Sequence, residues 1–377
     1  MTNATRARIL ILSPQKPGEG FGGAEQHLAT LAQILDPLCA GIEFISIGDA
    51  PPPSWVERAL LGVIPLLRSP LAVKRLLRHR ALPPYDVIFS VELMGVGLPR
   101  RRHLHLFFGS YSGFHALALS PPRGLKRLLR RANGVLANTL ERHTARPSGA
   151  VANSIGLQEC LRQHGIPVRD EVIPPPTDTE KFQPGDKTLA RQMLGLPLDK
   201  KLLLFAGRWE YAKGADRIEA LANTLAPNWH ILIAAPGNAS WPWPNSPAVT
   251  VLKDIPNDQM VTVYQSADVT LQPSRFEGYS LVASEAQSCG CPVITSDVGQ
   301  AKHFLLSSDP HIKESVIAQP DSPAEWAQRI DALLVELPQA SVASRSYALE
   351  HVSPAVIQHQ WMQLLTRLYP EFEWHPR

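Results

Sequence analysis

Two glutamates eight residues apart stand at the start of one predicted helix. Glu277 lies in a glycine-bearing loop after an apolar strand that ends near Leu271, and Glu285 lies one to two turns into a helix predicted to begin near Ser280. The free N–H groups at such a helix start bind phosphate or sugar oxygens. Carboxylates accept hydrogen bonds from hydroxyls, so the pair is placed to bracket one ligand. The spacing alone is explained equally well if Glu285 lies on a solvated helix face and Glu277 is an ordinary loop acid that binds no ligand.

A second loop carries two cations behind a strand. Gly207 ends an apolar run, Arg208 follows it, and Lys213-Gly214 stands just before the next predicted helix. An arginine and a lysine in one loop are suited to clamp a diphosphate, although alone they also fit a solvated loop. The sequence has neither HExxH nor Asp-x-Asp, so we expect no divalent-metal site built on those patterns.

A third segment is a glycine-rich turn near the start of the chain. Gly22-Gly23 follows a predicted first strand, Arg8–Leu12, and opens a predicted helix over 24–35. Glycine lets the backbone come close to a ligand. The segment is not a Gly-x-Gly-x-x-Gly fingerprint, and a turn without a ligand is the open alternative.

Short apolar strands alternate with amphipathic helices along the whole chain, which indicates parallel α/β sheets. At 377 residues, two domains are expected. The joint falls at Pro174-Pro175-Pro176. We predict an N-terminal domain over 1–175, a C-terminal domain over 176–350, and a last helix over 351–377 that packs back on the N-terminal domain. Ligands of such sheets bind at the carboxyl ends of the strands.

These segments together resemble the retaining glycosyltransferases of family 4, the group 1 glycosyltransferases. The resemblance is most specific over about 170–300, where the strand with Gly207-Arg208, Lys213-Gly214, the Glu-x7-Glu pair and Gly290-Cys291-Pro292 follow in the family's order. It implies a GT-B fold, in which two Rossmann-like, doubly wound domains face a cleft. It also implies a transfer of sugar from a nucleotide-diphosphate donor to an acceptor hydroxyl, with hexosyl transfer expected, and no cofactor or metal.

The resemblance implies a role for each motif residue. Arg208 and Lys213 would hold the diphosphate and stabilise the charge of the leaving group. Glu277 would face the donor sugar, so these three form the expected catalytic set. Glu285 would accept from the ribose hydroxyls, and the base would lie near the loops after Ile233 and Leu252. Further donor contacts would come from the glycines and from the backbone before the helix, namely Gly22, Gly23, Gly207, Gly278, Tyr279, Ser280 and Leu281.

Two departures from the family pattern stand out. Members often carry a histidine at the end of a first-domain strand, where this chain has Phe108. The family's second glycine after Gly299 is replaced by Gln300. No histidine is therefore assigned a catalytic role, and those nearby are expected to be structural or solvated: His103, His105 and His115.

Charge is uneven along the chain. Residues 1–150 hold 19 Lys and Arg against 9 Asp and Glu, a net +10, and the remainder holds 18 against 25, a net −7. Two basic segments with interleaved leucines, over 66–80 and 123–131, suggest docking on an anionic membrane; the alternative is charge over a core-facing stripe. Nucleic acid is not expected, because no aromatic or motif signature accompanies the charge.

The chain is expected to be cytoplasmic, with a possible peripheral contact to the inner face of the membrane. Its four cysteines fit neither a zinc site nor a disulfide framework, and no apolar run is long enough to span a bilayer. We expect a role in the synthesis of cell-surface glycan, lipopolysaccharide or glycolipid. Two alternatives stay open: a related GT-B phosphorylase or epimerase, and a non-catalytic nucleotide-sugar binding protein. The second stays open because Phe108 stands where family members often carry a histidine.

Overall fold

The structure is a computed structural model that describes residues 5–17, 23–99, 101–117, 125–145, 149–224 and 226–377. The chain divides into two compact units. Unit 1 comprises Met1–Ala116, Pro121–Pro176 and Ala355–Arg377, and unit 2 is essentially Thr177–Pro354. Within the described ranges, no helix combines the length and the apolar character that crossing a bilayer requires.

Unit 1 is built on a five-stranded parallel sheet in the order β2-β1-β3-β4-β5. Its strands are β1 (Arg8–Leu12), β2 (Gly41–Ile45), β3 (Val87–Val91), β4 (His103–Phe107) and β5 (Ala150–Ala152). The helices of the first 176 residues are α1 (Gly23–Leu35), α2 (Trp55–Val63), α3 (Arg68–Arg78), α4 (Tyr111–Leu117), α5 (Leu125–Ala145) and α6 (Ile155–Gln163). Because β3 and β4 are buried along their whole length, they read as continuous apolar or neutral runs.

The apolar segment 134–138 lies inside α5, although its local composition fits a strand equally well. A short apolar run bounded by polar residues does not distinguish a strand from part of a helix, and here the longer pattern of the segment decides.

Unit 2 is built on a six-stranded parallel sheet in the order β11-β10-β9-β6-β7-β8. Its strands are β6 (Lys201–Ala206), β7 (Trp229–Ala235), β8 (Val249–Lys253), β9 (Val269–Gln272), β10 (Val293–Ser296) and β11 (Val316–Ile317). Its helices are α7 (Lys187–Met193), α8 (Ala215–Ala222), α9 (Met260–Ser266), α10 (Leu281–Ser288), α11 (Ala301–Leu305), α12 (Pro310–Lys313), α13 (Pro323–Val335) and α14 (Leu337–His351).

The last helix, α15 (Pro354–Leu368), belongs to unit 1 although it follows unit 2 in the chain. Its apolar face joins the core that β1, β3 and α1 share, through Ile357, Trp361, Leu364 and Leu365. The Trp361 ring stacks on Phe89 with centroids 5.7 Å apart. The last helix therefore packs within unit 1.

The order of strands in unit 2 places the loops that carry the candidate site residues next to each other. β6, β9 and β10 are hydrogen-bonded neighbours, and all three run in the same direction. Their carboxyl ends therefore share one edge of the sheet. The loop after β6 carries Arg208 and Lys213, and the loop after β9 carries Glu277.

Candidate functional site

The loops after β6 and β9 touch each other because one residue between them has no side chain. Gly214 adopts a φ of +81°, and a Cβ there would overlap the carbonyl oxygen of Pro273. An L-residue would meet both the left-handed backbone and this clash. Gly214 also begins α8, so the close approach fixes the loop after β6 against the loop after β9.

Lys213 and Glu277, predicted to act on opposite ends of a donor, form an ion pair with each other. Lys213 Nζ donates to Glu277 Oε1 at 2.7 Å and to Oε2 at 2.8 Å. The hydroxyl of Ser274 donates to the same Oε1 at 2.7 Å. Glu277 is 9% exposed and Lys213 about a quarter exposed, so the pair is partly shielded from water. A charged pair of this kind holds both groups in one orientation at the sheet edge.

Arg208, the second expected cation, points to solvent. Its side chain is 61% exposed, and Nη2 lies 3.1 Å from Glu210 Oε1 without hydrogen-bond geometry. Gly207, just before it, has a φ of +129°, which turns the chain away from β6. Arg208 is therefore held loosely and is available to an anion that approaches this edge.

Arg275, which was not among the candidate site residues, connects the loop after β9 to the loop after β6. The backbone N–H of Arg275 donates to Ala212 O at 2.9 Å, and Nη1 donates to Tyr211 O at 2.7 Å. Its guanidinium also pairs with both oxygens of Asp216 at 2.7 Å and lies 3.6 Å from the Tyr211 ring centroid. Its position beside Glu277 was visible in the sequence, but its partners come from a loop about 60 residues earlier.

Gln300, noted as a departure from the family pattern, supports the start of α10. Its Oε1 accepts from the Ser280 N–H at 2.8 Å, and its Nε2 donates to Gln272 Oε1 at 3.1 Å. The expectation that the N–H groups from 278 to 281 all face a ligand is therefore wrong for Ser280, whose N–H is already bonded. Gly299, with φ of +56°, leaves room for Glu277, because a Cβ there would lie 2.8 Å from Glu277 Cβ.

Tyr279 and Leu281 flank this capped helix start. Ser280 caps α10, and its hydroxyl accepts from the Ala283 N–H at 3.3 Å. Burial raises the pKa of Tyr279 to about 12, so its phenol stays protonated and can donate at neutral pH. Gly278 is buried next to Glu277, and Leu281 is half-buried as the first residue of the helix.

Glu285 lies within α10 and has partners different from those of Glu277. It is 5% exposed, and its Oε2 accepts from the Tyr264 hydroxyl at 2.7 Å. Burial, and then the charge of Glu285, raises the pKa of Tyr264 well above its ordinary value. Tyr264 is the second residue that the sequence did not point to, because it comes from α9.

The loops after β7 and β8, expected near a base, are organised by tryptophans. Trp209, in the loop after β6, stacks on Trp243 with centroids 6.0 Å apart, and Lys253 lies over Trp243. Asp254, at the end of β8, has a φ of +53° and accepts from the Gly237 N–H at 2.9 Å. These contacts fix the positions of both loops at the same edge of the sheet.

In unit 1, Gly23 is the first residue of α1, whereas Gly22 lies outside the described residues. Phe108 follows β4, and its ring stacks on His27 with centroids 3.9 Å apart. Burial lowers the pKa of His27 to about 3, so the imidazole beside Phe108 is neutral at physiological pH. In the part of the chain that the structure describes, no group of three or more His, Cys, Asp or Glu side chains is arranged to hold a metal ion.

Comparison with known proteins gives the family of unit 2. Residues 186–346 match the family model described as glycosyl transferases group 1. The chain carries a group 1 glycosyltransferase domain. The resemblance inferred from the Glu-x7-Glu arrangement is confirmed, because the match includes Lys213, Glu277 and Glu285.

Curated relatives align with about half of this chain. The D-inositol 3-phosphate glycosyltransferase of Stackebrandtia nassauensis is 32% identical over 220 residues, which are 53% of this chain and 48% of that protein. The enzyme of the same name from Mycolicibacterium smegmatis is 30% identical over 223 residues, 50% of each chain. The chain thus spans about half the length of the curated relatives that it matches.

Solved structures resemble the chain over nearly its full length. Sucrose-phosphate synthase from Thermosynechococcus elongatus superposes with a TM-score of 0.74 at 19% identity, over 97% of this chain and 100% of the other. WaaG, a glycosyltransferase involved in lipopolysaccharide biosynthesis, gives 0.69 at 16% identity, over 96% and 99%. Anabaena Alr3699/HepE in complex with UDP-glucose gives 0.64 at 16%, over 96% and 100%. The chain has the GT-B fold.

Proposed function

We propose that the protein is a retaining glycosyltransferase that moves a sugar from a nucleotide-diphosphate donor to an acceptor hydroxyl. The observation that carries the proposal is the contact between Lys213 Nζ and the Glu277 carboxylate, 2.7 Å at its shortest, beside the exposed Arg208. Two cations and one carboxylate at the carboxyl edge of a parallel sheet match the chemical needs of a leaving diphosphate and a hydroxylated sugar.

The ion pair suggests how the site accepts a donor. A diphosphate that enters beside Lys213 offers its ammonium a second anionic partner, and Nζ has three N–H donors to share. Glu277 stays oriented through Ser274 while its oxygens accept from sugar hydroxyls. Charge that develops on the leaving phosphate is then stabilised by Lys213 and by Arg208, which swings in from solvent.

The acceptor class is part of the proposal. The similar structures include WaaG, a glycosyltransferase involved in lipopolysaccharide biosynthesis, and a complex with UDP-glucose. Together with the +10 charge of residues 1–150, this supports a glycan or lipid-linked acceptor on a cytoplasmic, anionic membrane surface. Unit 1 would bind the acceptor, and the transfer serves the synthesis of a surface glycan or glycolipid.

Donor turnover tests the proposal. Purified protein is incubated with UDP-glucose and a panel of other nucleotide-sugars, with and without a lipid-linked acceptor extract, and nucleoside diphosphate release is measured. We expect release that depends on the acceptor. Phosphate-dependent release without an acceptor identifies a phosphorylase, and interconversion of the free donor an epimerase. Binding in a thermal-shift screen with no turnover identifies a binding protein, and Phe108 in place of the family histidine favours that alternative.

Metal independence belongs to the same proposal, because Lys213 and Arg208 supply the positive charge that a divalent ion supplies elsewhere. We expect EDTA to leave the turnover largely unchanged. Complete loss of turnover with EDTA, restored by magnesium or manganese, contradicts this part of the mechanism.

A further inference from the structure

Helix α2 of unit 1 presents a row of large apolar side chains to solvent. Trp55 and Val63 are each 79% exposed, Val56 is 54% exposed and Leu60 is 38% exposed. The spacing i, i+1, i+5 and i+8 places them on one face of the helix. Trp55 is the only one of the eight tryptophans, all of which lie in the described ranges, that is exposed.

The exposed row belongs to a well-formed helix. Ser54 and Glu57 make a reciprocal capping box: the Glu57 N–H donates to Ser54 Oγ at 3.3 Å, and the Ser54 N–H donates to Glu57 Oε2 at 3.1 Å. The opposite side of the helix is fixed by Arg75, whose Nη1 lies 3.3 Å from Glu57 and whose Nε donates to Pro51 O at 2.6 Å. A capped helix with a contiguous exposed apolar face is typical of an interaction surface.

The sequence around this face is rich in cations. Among residues 55–80 there are six Lys and Arg and one acid, Glu57, which the cap and Arg75 already occupy. Five of the cations are exposed: Arg58, Arg68, Lys74, Arg78 and Arg80.

Helix α3 matches the alternative given above, in which charge lies over a core-facing apolar stripe. Its apolar residues Ala72, Val73 and Leu76 are fully buried, and Val73 packs in the core with Leu10 and Ile88. The second basic segment, over 123–131, gives less information, since Arg123 and the Lys126 side chain lie outside what the structure describes.

We propose that the α2 surface, defined as Trp55, Val56, Leu60 and Val63 with the basic rim Arg58, Lys74 and Arg78, docks on an anionic lipid bilayer. Trp55 and the two valines enter the headgroup and acyl boundary, and the rim cations stay at the anionic headgroups. Tryptophan favours this boundary because its ring is apolar and its N–H is polar. Interfacial helices combine an apolar face with Lys and Arg in this way. The inference rests on the membrane location proposed above but not on catalysis.

Charge complementarity favours lipid over a protein partner. Five exposed cations and one neutralised acid offer a protein partner few acceptors for specific pairing, whereas an anionic surface satisfies all of them at once. The apolar row is one helix long and flat, which suits insertion to a shallow depth. Because each rim contact is to a diffuse headgroup charge, raised salt weakens the attraction.

Flotation of the full chain with vesicles tests the proposal, in the absence of donor and acceptor. We expect binding to phosphatidylcholine vesicles that contain phosphatidylglycerol, little binding to phosphatidylcholine alone, and release at about 0.5 M salt. The double variant W55S/V63S should bind about tenfold or more weakly, and K74E/R78E likewise. The matched control is L306S/V335S, which removes two apolar residues of unit 2 that are 75% and 82% exposed, and it should bind as the wild type does.

Fluorescence quenching locates the contact. Because Trp55 alone is exposed, it should dominate acrylamide quenching, and anionic vesicles should protect it, whereas W55F should lose this protected component. Circular dichroism confirms that each variant is folded. Wild-type binding by W55S/V63S, equal loss in the control, or no binding to anionic vesicles overturns the proposal. The proposal is also overturned if raising the protein concentration without lipid protects Trp55 from acrylamide, because that result assigns the surface to a second copy of the chain.

Discussion

At the scale of residues, the centre of the candidate site is an ion pair between two groups that the sequence assigned to separate tasks. Lys213 and Glu277 are 64 residues apart, and nothing in their spacing says that they touch. The contact follows from the neighbouring positions of β6 and β9 and from Gly214, which permits the loops to meet. In the proposed mechanism Lys213 therefore has two functions, to orient Glu277 and to meet the donor's diphosphate.

We predict that Lys213→Ala lowers the rate of transfer by about 100-fold to 1,000-fold, since it removes a donor to charge that grows in the transition state. Arg208→Ala should lower the rate with almost no effect on unfolding, because its side chain is 61% exposed. Steady-state kinetics and urea unfolding measure the two effects. The control is Lys200→Ala: Lys200 bonds a backbone oxygen at the amino end of β6, on the far edge of the sheet. Wild-type rates for folded Lys213→Ala and Arg208→Ala would remove both cations from the mechanism.

We expect substitutions of the two glutamates to affect different steps, nucleotide binding for Glu285 and turnover for Glu277. Glu285→Ala is predicted to weaken binding of the bare nucleoside diphosphate by about 1–3 kcal/mol, because ribose hydroxyls lose a buried acceptor. Glu277→Ala should bind that ligand nearly as well and lose turnover. Calorimetry with UDP gives the first quantity and kinetics the second. Since Glu285→Ala also frees the Tyr264 hydroxyl, the variant Tyr264→Phe serves as its control. A loss of UDP affinity in Glu277→Ala alone would reverse the assignment.

At the scale of elements, the site depends on how the loops after β6 and β9 are held to each other. Arg275 makes this connection through Asp216, the Tyr211 ring and two backbone carbonyl contacts. A lysine in its place keeps the charge but loses the bidentate geometry and the stacking. Because the Arg275 side chain is held by the loop and helix that carry Lys213 and Asp216, we predict that it is a positioning residue that acts through Lys213 and Glu277.

We predict that Arg275→Lys and Asp216→Asn each lower kcat more than they raise KM, and that their effects are not additive. The double-mutant coupling should be about 1–3 kcal/mol, since both residues serve one contact. Arg217→Lys is the matched comparison. Arg217 lies in α8, and its Nη1 donates to Pro273 O in the loop after β9 at 2.8 Å, but Arg217 makes no contact with Tyr211. If the two single variants act additively, or lower stability without changing kcat, Arg275 is merely structural.

Elements were the part of the fold that the sequence predicted best, for physical reasons. Buried parallel strands such as β6 and β7 are uninterrupted apolar runs, and α10 begins after a capping serine and ends before a glycine. The secondary structure of segment 134–138 could not be assigned from the sequence, because its local composition fits a strand and a helix equally well. Gln300 and Tyr264 could not be predicted as parts of the site, because their partners lie 20 and 21 residues away across strands or helices.

At the scale of the whole molecule, the two units differ in charge and in how their buried histidines respond to acid. In unit 1, His27, His103 and His105 are buried, and burial lowers the pKa of His27 to about 3 and of His103 to about 4, and that of His105 well below its usual range. His103 and His105 both bond the Ser90 hydroxyl, at 2.6 and 2.8 Å. In unit 2, burial lowers the pKa of His303 to about 4.

The sign of the pH effect follows from proton uptake by the unfolded chain. An unfolded histidine binds a proton below a pKa of about 6.5, whereas folded His27, His103 and His303 do not until about pH 4 or lower. Between pH 7.5 and 5 the unfolded state therefore takes up more protons, and stability falls as pH falls. Each of these three histidines should contribute about 2 kcal/mol of destabilisation at pH 5. Glu92 and Glu141, whose pKa burial raises, bind protons more readily in the folded unit 1 and offset a part of it.

We therefore predict that acidification from pH 7.5 to 5 destabilises unit 1 more than unit 2. Unit 1 holds His27, His103 and His105, and unit 2 holds His230 and His303, whose pKa burial also lowers. Hydrogen exchange followed by mass spectrometry resolves the units, and protection in β3 and β4 should fall before that in β6 and β7. The variant His27→Phe, which keeps a ring stacked on Phe108, should lose about 2 kcal/mol less of unit 1 stability over the same pH range. His79→Phe, at an exposed position beyond α3, is its control and should retain the wild-type pH dependence. Equal acid sensitivity of both units, or an unchanged response in His27→Phe, would show that the buried histidines do not govern the acid response.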